Sequence, residues 1–310
     1  MNKKFSNLFL RDAFIVTLKN IAVQNKKVIL LTNDQGAPEL DDFKKKIPQQ
    51  FYNSGISEQN IIAVSAGLAL AGYVPFIYSI NSFIIYRTIE YIKIDLCSMN
   101  LPVKIFGVGS GYSYPEDGPT HHSTEDIGIA RSLSNLEIFN PSDSEMTSKI
   151  VKYVLKKSNP CFVRLDRQFC DDLKNDNYEL SDGFRLFKSG KNNEKFAIIS
   201  SGFFLQSILK EFKIDYDIID LFCFKKFNYK KLLMLLKKYS KIVCIEEHVL
   251  NCGIGSIFSE IILDNDLNVK LLRLGLLENK VYNYGNRNQL LKKNLINIEN
   301  LKVKVKNYFK

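Results

Sequence analysis

The chain reads as an α/β protein built from two doubly wound domains with mostly parallel sheets. Three observations point there. Short apolar, β-branched runs alternate with segments of helical spacing, the pattern of parallel strands joined by helices. A polar stretch, Asp171–Tyr178, interrupts the alternation, which then restarts. The length of 310 residues suits two domains of ordinary size. The expected boundaries are 1–172 and 180–310.

Taken in order, Lys27–Asn33 is an apolar run ending in Asn-Asp-Gln-Gly, a strand entering a turn. Ser57–Gly72 is apolar on nearly every face and reads as a buried helix. Val74–Ile80 is the next strand, and Phe83–Met99 shows helical spacing. Pro102–Val108, Leu136–Phe139 and Cys161–Leu165 are further strands, with a helix near Ser144–Lys157. Beyond the polar stretch, strands are expected at Phe196–Ser200, Tyr216–Leu221, Lys241–Ile245 and Val269–Leu274. Helices are expected between them at Gln206–Phe212, Leu232–Tyr239 and Ile254–Asn265. Ligands of such sheets gather at the carboxyl ends of strands.

Composition narrows the function classes. A hydrophobic fraction of 45% and a charged fraction of 25% are those of a globular protein. The opening run Met1–Asp12 is broken by Arg11 and Asp12, too soon for a signal h-region or a membrane span, so no membrane role and a cytoplasmic location are expected. The net charge of +10 comes from lysines scattered along the chain. They are not interleaved with aromatics in a nucleic-acid motif, so nucleic acid is not an expected partner. Six cysteines occur without a Cys-x-x-Cys, which leaves zinc and redox motifs unsupported. Cys252 lies near His248, but no third orienting group accompanies them.

Four segments carry candidate chemistry. Glu58 stands in the first turn of the apolar helix. It could serve the helix dipole, with Ser57 or Asn53 as cap, or act as a general acid–base whose pKa is raised by desolvation. Phe83 follows a strand and is either core or a platform for a planar ring, with Arg87 one turn further on. Tyr114–Asp126 holds two of the three histidines, His121 and His122, on a Pro-Glu-Asp-Gly-Pro turn. Ser123 or Thr124 would open a helix there, and the run offers too few ligands for a metal. Arg164 and Arg167 lie at a strand end, where they could clamp a phosphate or simply form a network with Asp166.

In this order the segments resemble the pyrimidine-binding domain of the thiamine diphosphate enzymes of the transketolase family. Gly55-Ile-Ser-Glu-Gln-Asn60 matches the family's Gly-Ile-x-Glu-Gln-x glutamate motif, and Asp117-Gly-Pro-Thr-His121 its Asp-Gly-Pro-Thr-His loop. Val243–His248 with Gly253–Ser256 resembles the family's C-terminal domain. The family's Arg-Tyr-Pro-Arg pattern reads Arg164-Leu-Asp-Arg167 here, which sets Asp166 beside the expected clamp. The Gly-Asp-Gly followed by Asn that holds magnesium and diphosphate is missing.

The resemblance implies the C-terminal subunit of a split transketolase. Its partner would be an N-terminal subunit carrying the diphosphate and Mg site, and the two would form a heterotetramer. Thiamine diphosphate would be the cofactor, with no metal ligand on this chain. The reaction would move a two-carbon ketol unit from a ketose phosphate to an aldose. Glu58 and His121 would be catalytic, and Ile56, Glu58, Phe83 and Arg87 would meet the cofactor. Asp34, Asp117, His121, His122, Arg164 and Arg167 would meet sugar phosphate substrates. Three alternatives stand beside this reading: a 1-deoxyxylulose-5-phosphate synthase-like subunit, a 2-oxoacid dehydrogenase β-like subunit and a non-catalytic interaction module.

Overall fold

The computed structural model describes residues 8–174, 177–189 and 195–310. Met1–Asn7, and Asn175 and Asp176 of the expected interruption, lie outside the described residues. Strands β1 (Val28–Thr32), β2 (Phe51–Asn53), β3 (Val74–Ile80), β4 (Lys104–Val108), β5 (Glu137–Phe139) and β6 (Cys161–Leu165) form one sheet. Its order is β2-β1-β3-β4-β6-β5, and every pairing is parallel. Strands β7 (Phe184–Phe187), β8 (Phe196–Ser200), β9 (Asp217–Leu221), β10 (Lys241–Val249) and β11 (Lys270–Leu276) form a second, ordered β11-β10-β8-β9-β7. Only β7 runs antiparallel, against β9, among the described residues.

Both faces of the first sheet are covered, which is why its strands are near-continuous apolar runs. Helices Leu10–Ala22 and Ser144–Leu155 pack on one face, with the Phe14 ring stacked on Phe106 at 4.0 Å. Asp143 caps the second of these helices by accepting a bond from the Met146 backbone N–H. Lys104, fully buried in β4, is satisfied by the carbonyls of Lys157 and Asn159 just past that helix. Helices Glu58–Leu70, Asn81–Tyr86 and Asp126–Ser132 cover the other face. From there an apolar cluster continues into the second domain through Phe184, Ile242 and Phe258.

Three expectations need correction. The helix Glu58–Leu70 is not buried all round: Ala63 and Gly67 are exposed and Leu70 is 64% exposed. One face packs on the sheet and the other lies on the surface of the single chain, where a Cβ on Gly67 would touch nothing within 4 Å. The helix expected over Phe83–Met99 is broken after Tyr86 and resumes as Ile89–Tyr91 and a π-helical Ile92–Ser98. At the break Thr88 Oγ1 bonds the Ile84 carbonyl, a side-chain competitor for the helical ladder. The helix expected from Ser123 or Thr124 begins at Asp126, because Ser123 pairs instead with Gly111 in an isolated bridge.

Candidate active site

The order β2-β1-β3 places β1 centrally, with the chain turning to opposite sides of it. A topological switch of this kind opens a crevice beyond the carboxyl ends of the strands. The first-domain segments singled out in the sequence lie there. Asn33 and Asp34 follow β1, Gly55–Glu58 follow β2, Phe83 follows β3, the 109–125 loop follows β4, and Asp166–Arg167 follow β6.

Six side chains form a continuous line of contacts. The Glu58 carboxyl, 5% exposed, accepts a bond from Arg87 Nη1 at 3.2 Å. The Arg87 guanidinium lies over the Phe83 ring, 4.2 Å from its centroid. Phe83 meets the His121 ring edge-on at 4.8 Å, and His121 meets Tyr114 at 5.9 Å. The Arg167 guanidinium lies over Tyr114 at 4.9 Å. Burial lifts the Tyr114 phenol above its ordinary pKa, and Arg167 draws it back. His121 is half-buried, with Nδ1 3.0 Å from Thr120 Oγ1.

The cap expected from Ser57 or Asn53 does not form, while Glu58 keeps its place in the first turn, where it serves the helix dipole. Ser57 Oγ donates to the Ser54 carbonyl, and Asn53 Oδ1 accepts from the Gly55 and Asp34 backbones, so neither side chain caps the helix. Ile56 is 82% exposed at the rim. Asp34, at φ 41°, and Asp117 are exposed on their loops.

Two sequence expectations are overturned. The two-arginine clamp does not form, because Arg164 is 4% exposed and directs Nε and Nη2 to Asp126 at 2.5 and 3.0 Å. Its guanidinium completes a buried network with Asn81, which donates to Ser123 and Asp126. Arg167 alone is exposed. His122 does not accompany His121. It is 2% exposed, packs edge-on against Tyr112 at 4.8 Å and bonds the Pro115 carbonyl, and burial lowers its pKa.

Sequence reading did not assign Tyr114, although the Tyr-Pro start of its turn marks an aromatic held at a loop entrance. It also missed Tyr86, whose hydroxyl donates to Glu125 Oε2 and accepts from the Glu125 backbone at the foot of the loop. The Asp126 partner of Arg164 carries no local signal, since the two are joined only by the fold.

Residues 7–171 match the family model "Transketolase, pyrimidine binding domain", and residues 194–301 match "Transketolase, C-terminal domain". The chain is 31% identical over 272 residues to a subunit of the apulose-4-phosphate transketolase of Phocaeicola vulgatus, covering 84% of this chain and 86% of that protein. It is 29% identical over 297 residues to the like-named protein of Actinobacillus succinogenes, covering 94% of each. A solved split-gene transketolase, described as an inactive β4 tetramer, superposes with a TM-score of 0.83 at 25% identity, covering 96% of this chain and 97% of that one. The chain therefore belongs to the transketolase family of transferases, and over nearly its whole length it is similar to single subunits of split transketolases.

Proposed function

We propose that this chain supplies the pyrimidine-binding half of a composite site that moves a two-carbon ketol unit from a ketose phosphate to an aldose. The observation that carries the reading is the pairing of a buried carboxyl with an aromatic face. The placement of Arg87 supports this, since its guanidinium bonds Glu58 and lies over Phe83 at once. A flat, nitrogen-bearing ring such as an aminopyrimidine meets the same two demands, so the residues fit thiamine diphosphate. When bound, that cofactor supplies the carbanion chemistry.

This chain's residues bind, orient and move protons around it. Glu58 would share a proton with a pyrimidine ring nitrogen of the bound cofactor, its own burial keeping water from competing. Phe83 would offer its face to the ring, Ile56 would add apolar contact at the rim, and the exposed Arg87 would meet the cofactor beside them. His121 contacts substrate oxygens and relays protons, while Asp34 and Asp117 position the substrate from their loops. Arg167 meets the sugar phosphate without Arg164. A phosphorylated sugar in the names of two relatives supports that substrate class.

Magnesium and the diphosphate fall to the partner. The Gly-Asp-Gly followed by Asn that holds them in this family does not occur in this sequence, which is what motivates the assignment. The β4 assembly of the similar split-gene protein, four copies of one subunit, supports self-association of this chain, and the heterotetramer with the partner is the arrangement this reading assigns to it. Five buried free cysteines suit a reducing, cytoplasmic setting. No helix of the described residues is long and apolar enough to cross a membrane.

The test is Glu58→Gln in the assembled complex. Loss of a positioned acid–base group lowers ketol transfer by about 10²–10⁴-fold. Full activity in the variant would refute the role. Synthases of 1-deoxy-D-xylulose 5-phosphate also match, at 29–30% identity, with the chain spanning about half their length (46–47%). Assays with pyruvate as donor separate that chemistry from ketol transfer.

A further inference from the structure

The sequence departs from its family at Asp166, and the structure shows what answers that departure. Asp166 is 2% exposed, immediately before Arg167. Its Oδ1 accepts from Ser113 Oγ at 2.9 Å, from the Gln168 backbone N–H at 2.7 Å and from Arg287 Nη1 at 3.1 Å. Its Oδ2 accepts from Arg287 Nη2 at 2.7 Å. Arg287 comes from the second domain, at the start of the helix Arg287–Lys293. A bidentate pair of this kind fixes geometry as well as charge.

The same guanidinium reaches Glu247, whose Oε2 lies 3.1 Å from Arg287 Nε. Glu247 Oε1 in turn accepts the Tyr112 backbone N–H at 2.6 Å. Ser113 Oγ accepts the Arg167 backbone N–H at 2.7 Å. One cation from the second domain therefore ties down both loops that carry Tyr114 and Arg167. Phe203 backs it, its ring centroid 4.3 Å from the guanidinium carbon.

We propose that Arg287 is a positioning residue that sets the enzyme's preference for phosphorylated substrates. It acts through Asp166 and Glu247, which hold the Arg167 backbone and the Tyr114 ring beneath the Arg167 side chain. The proposal rests on the reading of Arg167 as the phosphate contact. It gives the C-terminal domain a role in specificity without any contact to substrate.

The test uses the assembled two-subunit enzyme with thiamine diphosphate and magnesium. KM and kcat are measured with D-ribose 5-phosphate and with D-ribose as acceptor. Arg287→Lys keeps a cation in the cavity and removes the fork. It raises KM for the phosphorylated acceptor about tenfold, the scale of a misplaced binding group, and leaves kcat and the KM for D-ribose within about twofold. Asp166→Asn, which keeps the shape and an acceptor oxygen, shifts the ratio in the same direction and serves if the first variant does not fold. In an Arg167→Ala background neither substitution changes the ratio further. Equal changes for both acceptors, or effects that add to Arg167→Ala, overturn the proposal alone. If Arg167→Ala leaves the preference for phosphate intact, the reading of Arg167 falls and this proposal with it.

Discussion

Arg185 joins the two domains through charge buried on all sides. Its Nη2 donates to Asp143 Oδ2 and its Nε to Asp220 Oδ2, each at 2.9 Å, and all three side chains are at most 2% exposed. Asp143 belongs to the first domain and Asp220 to β9 of the second. Arg185→Ala leaves two buried carboxylates without their cation, which costs about 3–5 kcal/mol. Over a chain of this size the thermal midpoint falls by roughly 10 °C at neutral pH.

Acid should repair part of that loss. Burial, opposed by Arg185, already pushes the Asp220 carboxyl up to about 6 from its ordinary 3.8. The folded state thus holds a proton that the unfolded chain releases. This contribution to stability is full below pH 3.8 and is lost as pH rises through about 6. Removing Arg185 raises that pKa further, so in the variant Asp220 stays protonated to higher pH. The deficit relative to wild type therefore narrows as pH falls from 8 toward 5, read by unfolding midpoints across that range. A loss under about 1 kcal/mol, the worth of an exposed pair, or a deficit independent of pH, would refute the reasoning.

Arginines 164 and 167 should separate cleanly. Arg164→Ala leaves buried Asp126 without its cation and lowers unfolding stability by about 3–5 kcal/mol, whereas Arg167→Ala stays within about 0.5 kcal/mol and raises KM for phosphorylated substrates. Chemical unfolding and kinetics on the two variants check this. Thiol labelling should be equally selective. Cys252 is exposed and the other five cysteines are buried, with burial pushing Cys97 and Cys161 up to about 11. Brief iodoacetamide treatment of the native chain should give one adduct by mass spectrometry, at Cys252, and denaturation should release the rest.

Much of the first domain was legible because its strands are buried on both faces. Val74–Ile80 and Cys161–Leu165 coincide with β3 and β6 residue for residue. The helix Leu10–Ala22 is absent from the sequence expectations: only its first three residues fall in the opening run Met1–Asp12, read there for a targeting signal, and the rest carries no assignment. Strand β7 was missed for a different reason: Phe184–Phe187 is short, lies at the sheet edge and carries Arg185, a charge that makes sense only beside Asp143. The C-terminal helix Ile298–Phe309 did carry a signal, since Leu301, Val305 and Phe309 recur every fourth residue and are buried. Glu58, Phe83 and His121 could be picked out by motif, and the structure brings them onto one line of contacts. Arg164 could not be told from Arg167 by spacing. Which of two nearby arginines is buried depends on Asp126, 38 positions away.

The most direct test of a composite site is recovery of its other half. The tagged chain is purified from its native host at low salt with thiamine diphosphate and magnesium, and co-eluting proteins are identified by mass spectrometry. The expected result is a partner carrying Gly-Asp-Gly followed by Asn, and a mixture that transfers ketol units when neither chain does so alone. A chain that elutes alone, from a host with no such partner, would contradict the composite site and favour a non-catalytic module.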